Sequence, residues 1–80
     1  MPLRPLLLDL QQYPHSERPM QTLLSLEGMA PGDTLLVVSD RDPETLLQEL
    51  KAVLEKDFTY WIPEAGPEIW RIIISRGELS

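Results

Sequence analysis

At 80 residues the chain has room for one domain around one modest core, in which about 60% of the unfolded surface is buried, so its stability margin is thin. Absence of cysteine excludes disulfides, thiol nucleophiles, persulfide carriers, zinc–thiolate sites and iron–sulfur ligation, and points to a reducing compartment. A net charge of −6 with a pI near 4.5 argues against nucleic acid as a partner, because phosphate binding takes most of its affinity from a basic face.

Leu6 to Leu10, broken by Asp9 and preceded by Pro2 and Pro5, reads as a first strand at a sheet edge. Gln11 to His15 turns the chain. Ser16 is the expected N-cap of a first helix, with Glu17 placed against the helix dipole and Pro19 in the first turn, where its missing N–H has no helical partner. Met20, Leu23 and Leu24 form its expected apolar stripe, with Leu26 at the margin. Gly28 is the expected left-handed terminator, followed by apolar Met29 and by Pro31, which stops continuation.

Pro31-Gly32-Asp33 leads into a second strand ending Leu35-Leu36-Val37-Val38. Asp42 is an N-cap type and Pro43 suits the first helical position. The second helix, roughly 43–56, carries Leu46, Leu47, Leu50, Val53 and Leu54 at i, i+1, i+4, i+7 and i+8 spacing, which buries one face. Glu44 at its start, with Lys51 and Lys56 toward its end, complements the macrodipole. Phe58 to Ile62 reads as a third strand, Pro63 to Pro67 as a turn and Ile69 to Ser75 as a fourth strand returning antiparallel.

The order βαβαββ, with a right-handed crossover, puts both helices on one face of one sheet and gives a two-layer α/β sandwich. Pro63 places the third strand at an edge, and the consecutive isoleucines place the fourth inside. Alternation sends Trp70, Ile72 and Ile74 toward the helices and Ile69, Arg71 and Ile73 away, and sets Trp61 opposite Phe58, Tyr60 and Ile62. Apolar side chains therefore fall on both faces.

The Ala30-Pro31-Gly32-Asp33-Thr34-Leu35 lead-in, the Ser39-Asp40-Arg41-Asp42-Pro43 link and the closing Gly66-Pro67-Glu68-Ile69-Trp70-Arg71-Ile72 resemble an uncharacterised bacterial family related to the TusA (SirA-like) sulfur carriers. The resemblance spans nearly the whole chain and implies a mixed four-stranded sheet in order 1-2-4-3. In those carriers the sulfur rides on the cysteine of a Cys-Pro-x-Pro motif at the start of the first helix. Here Tyr13-Pro14-His15-Ser16 stands in that region, which excludes cysteine-based sulfur transfer. Members of the closer family often carry a histidine as Asp-His-Asp-Pro in the second link and another early in the first helix; Arg41 and Pro19 look like those positions here, so a metal or heme role does not carry over.

Parallel strands 1 and 2 set the links Gln11 to Ser16 and Ser39 to Asp42 side by side at their carboxyl ends, where clefts form in α/β sheets. Tyr13, His15, Arg18 and Arg41 are the candidate lining of a small-ligand or anion site. Against that, Asp40, Asp42, Glu17 and Glu44 already bring negative charge there, and Arg41 has acidic neighbours to pair with. His15 is the only histidine, too few ligands for zinc or heme. No carboxylate pair in an apolar setting and no nucleophile elbow is present, so neither an enzyme nor a bound cofactor is expected.

Leu7, Trp61, Ile69 and Ile73, with Leu36 or Val38, make a candidate interface on the open face, unless a terminal segment such as residues 77–80 folds over it. For Trp61 an open-sheet placement and a covered one weigh equally. The expected protein is a non-catalytic interaction or accessory module, a homodimer or one docking onto a partner in redox or sulfur metabolism; the alternative is a small-ligand or anion binder near Arg18 and Arg41. Apolar runs far shorter than the roughly 20 residues of a bilayer span, and the lack of a leader-like start, add a soluble, cytoplasmic expectation with no membrane partner. No asparagine, five arginines against two lysines and eight prolines are compatible with a thermophilic or GC-rich source.

Overall fold

The computed structural model describes residues 6–30, 32–54 and 58–76, the side chain of Leu54 excepted. Pro2, Pro5, Pro31, Lys56 and the 77–80 tail lie outside the described residues. The elements run β1 (Leu6–Asp9), 3-10 turns at Leu10–Gln12 and His15–Glu17, α1 (Arg18–Glu27), β2 (Thr34–Ser39), α2 (Glu44–Leu54), β3 (Phe58–Ala65) and β4 (Trp70–Arg76). The sheet order is β1-β2-β4-β3, with β1 and β2 parallel and both other pairings antiparallel. This is the α/β two-layer arrangement and strand order expected from the sequence, with β3 at an edge and β4 inside.

Period-2 alternation is visible in burial. Leu35, Val37 and Ser39 of β2 and Ile72 and Ile74 of β4 are buried, whereas Leu36, Val38 and Ile73 between them are only half-buried. The buried set meets Leu26 of α1, Met29 after it, and Leu47 and Leu50 of α2, so both helices cover one face of the sheet and hold a single core. Phe58 and Tyr60 lie on this side too, in register with Arg76 and Ile74 and stacked with ring centroids 6.2 Å apart.

α2 begins as read. The Asp42 carboxylate accepts from the Glu44 N–H at 2.9 Å and the Pro43 carbonyl from the Leu47 N–H at 2.8 Å, while Lys51 near the end extends over the Tyr60 ring. Val53, expected inside, is 63% exposed.

α1 departs further from expectation. Its buried face is Arg18, Thr22 and Leu26, at i, i+4 and i+8, while Met20 and Leu24 of the expected stripe stand exposed. The Thr22 hydroxyl donates to the Arg18 carbonyl at 2.8 Å, which lets a polar residue lie inside without an unmet group. Ser16 does not cap this helix; it lies in the preceding 3-10 turn, and Glu17 holds the N-cap position without a side-chain bond. Pro19 does sit in the first turn.

Gly28 is right-handed (φ −79°), not left-handed. The helix end is closed partly by the Gly28 N–H to the Leu24 carbonyl and the Met29 N–H to the Leu26 carbonyl, and partly from afar: Nη1 of Arg76 in β4 shares its hydrogens among the carbonyls of Leu26, Glu27 and Met29 at 2.9, 3.2 and 2.9 Å.

β3 continues past the expected turn to Ala65, because its register shifts between Trp61 and Glu64 and leaves Ile62 and Pro63 out of the ladder. The hairpin then closes at Gly66, whose N–H donates to the Ile69 carbonyl at 2.9 Å, and Ile69 precedes β4 instead of opening it.

Candidate functional site

The side of the sheet away from the helices has a row structure that follows from register. In-register partners share a face, so Leu7, Leu36, Ile73 and Trp61 line up across all four strands as one apolar row. Leu7 is 66% and Trp61 59% exposed, the two ends of the row standing clear while its middle is half-buried. On one side runs a polar row of Thr34, Ser75 and Thr59; on the other run Asp9, Val38, Arg71 and Glu64, where Arg71 and Glu64 form an ion pair.

Three of the four candidate interface residues, Leu7, Trp61 and Ile73, are brought together here. Ile69 is not, since it lies in the hairpin turn. Leu36 is the neighbour that completes the row, fixed by β1–β2 register that no local sequence signal sets.

The second region is where β1 and β2 end side by side. A cavity of about 310 Å³ opens there, with Leu10, Pro19, Pro43 and Leu46 as its apolar surface and His15, Arg18, Arg41, Asp42, Thr45 and Glu49 as its polar groups. His15, Arg18 and Arg41 are thus brought to one cavity. Tyr13 does not line it; its side chain packs against the core and its carbonyl accepts from Arg18 Nε at 3.1 Å.

Arg18 is nine-tenths buried, an unusual place for a guanidinium, and its Nη1 donates to Asp40 Oδ1 at 2.7 Å. That hydrogen bond holds the exposed Asp40 carboxyl below the usual carboxylate range. Asp40 pairs with Arg18, and among the described residues Arg41 forms no ion pair with its acidic neighbours.

Arg41 extends from a turn fixed by Ser39, whose buried hydroxyl donates to the Arg41 carbonyl at 3.0 Å and accepts from the Arg41 N–H at 3.1 Å. The α2 N-terminus behind it is already served by the Asp42 carboxylate. Among the described residues no three His, Asp or Glu side chains gather as a metal-holding group, and no helix is long and apolar enough to cross a membrane.

Comparison with known proteins adds one finding. The family described as an uncharacterised conserved protein, DUF2249, matches residues 7–76, from β1 to the end of β4. No curated protein and no solved structure matches the chain.

Proposed function

The chain belongs to the uncharacterised conserved protein family DUF2249, and on that premise we propose that it is a non-catalytic interaction module whose open sheet face pairs with a second copy of itself. The observation that carries this reading is the apolar row Leu7–Leu36–Ile73–Trp61, continuous across the sheet and uncovered by either helix. With the two-fold axis along this row, the neutral polar row of one copy faces the charged row of the other, so no like charges are set against each other.

Edge-to-edge pairing is disfavoured. β1 is a four-residue strand, and β3 carries Pro63 and an interrupted register at its edge, two devices that blunt strand addition. The face itself is limited: four strands at about 4.8 Å spacing and about six residues of length give roughly 400 Å² per copy, half of what a standard stable interface uses. A reversible, concentration-dependent dimer follows. Kinship with TusA-like carriers, and through it a setting in cytoplasmic redox or sulfur metabolism, belongs to the same proposal; it is supported by the sequence resemblance and by the 1-2-4-3 order that the resemblance implies.

Sedimentation velocity over a concentration series tests the pairing. Wild type should shift from monomer to dimer, and Trp61→Ser should weaken association about tenfold or more while its circular dichroism spectrum stays unchanged. A monomer at every concentration discards self-association and leaves the face to a different protein.

A further inference from the structure

We infer that the cavity at the carboxyl ends of β1 and β2 is a binding site for a small organic carboxylate with an apolar body. Burying an arginine as deeply as Arg18 is costly unless its orientation is put to use or its charge is met. Two of its nitrogens are committed, Nε to the Tyr13 carbonyl and Nη1 to Asp40, while Nη2 donates to no described residue.

No buried side-chain nitrogen or oxygen lacks a partner among the described residues, so Nη2 keeps its access to solvent. Arg18 lines the cavity and Asp40 does not. The guanidinium is thus fixed at two nitrogens and lines the cavity together with Arg41 and His15, two arginines suited to charge-assisted bonds to a carboxylate with an imidazole beside them.

Leu10, Pro19 and Leu46 supply an apolar surface, and a volume of about 310 Å³ is at the small end of ligand pockets. Two carboxylates in the lining, Asp42 and Glu49, oppose an anion; Asp42 has one oxygen engaged by the Glu44 N–H, which leaves Glu49 as the one whose removal spares the start of α2. The site differs from a helix-terminus anion site, because the α2 N-terminus is filled by Asp42.

The test uses butyrate, with n-butylammonium as the probe of equal carbon count and opposite charge, and sodium chloride to match ionic strength, followed by amide and Arg18 Nε–H chemical shifts. Butyrate should give saturable shifts at Arg18, Ser39, Arg41 and Thr45. Arg41→Ala, at an exposed side chain, should weaken the response about tenfold, and Glu49→Gln should tighten it about twofold. Shifts that are equal for both butyl probes, absent for butyrate, or unchanged in Arg41→Ala overturn the assignment.

Discussion

The two faces of the one sheet are built from the same residue types and have opposite fates. Ile72, Ile73 and Ile74 follow one another in β4, yet the first and third are buried under the helices and the second faces out beside Trp61. Composition does not distinguish them; position along a period of two does. A side chain on the covered face contributes to folding, and the same side chain on the open face contributes to what the folded protein can meet.

The sharpest test of this contrast exchanges neighbours. Ile72→Ala should cost about 3 kcal/mol in chemical denaturation, a large part of the roughly 4–12 kcal/mol that a domain of this size holds, and leave association of the folded protein unaltered. Ile73→Ala should cost under about 1 kcal/mol and weaken association instead. Equal losses of stability at the two positions would break the comparison.

The hairpin that fixes β4 against β3 should come next in size. Gly66 has φ +58°, and a Cβ there would stand 2.5 Å from Cζ2 of the Trp70 ring. Gly66→Ala should cost about 2–3 kcal/mol, part from the left-handed backbone and part from displacing Trp70 off the core edge. The same variant should perturb association through Trp61, because a slip of one residue moves side chains to the other face. A Gly66→Ala protein as stable as wild type would show that β3–β4 register is set without this turn.

A smaller effect, confined to the covered face, is expected at Arg76. Its guanidinium closes the carbonyl end of α1 from a strand fifty residues away, so Arg76→Ala should cost about 1–2 kcal/mol and speed hydrogen exchange in the last turn of α1. Exchange that rises equally in α2 would mean a global loss, not the loss of a cap.

How much of this was legible in the sequence follows from how local each cause is. α2 and its start were readable because Asp42, Pro43 and the leucine spacing act within one helix. The edge place of β3 and the inner place of β4 followed from Pro63 and the isoleucines, whereas the full strand order came from the family resemblance. The buried face of α1 was not readable, since Arg18 is held by Asp40 and Thr22 by its own helix backbone, which frees polar side chains to take the core and leaves Met20 and Leu24 outside. The right-handed Gly28 is hidden for a similar reason: Arg76, which helps close its helix end, lies on a distant strand. Of the candidate site residues, those on strands were placed by alternation, whereas Ile69 and Tyr13 turned on the ends of elements, where one residue of displacement changes which surface a side chain serves.

The Arg18–Asp40 pair belongs to the covered side of the comparison, and pH separates its contribution from the rest. Asp40 is held below the ordinary carboxylate range chiefly by the Arg18 hydrogen bond, so the folded state binds its proton less readily than the unfolded chain. The stabilisation is therefore fully present above the unfolded value and fades as pH falls through the lower folded value. Wild type should lose melting temperature on going from neutral pH to the acid side of that range, and Asp40→Asn, which starts lower at neutral pH, should lose less over the same interval. The effect is small, because Asp40 is exposed and solvent screens the pair. Parallel melting profiles for the two proteins would mean that Arg18 is kept in place by the Tyr13 carbonyl and its packed stem alone, and that the ion pair adds charge at the cavity without adding stability to the fold.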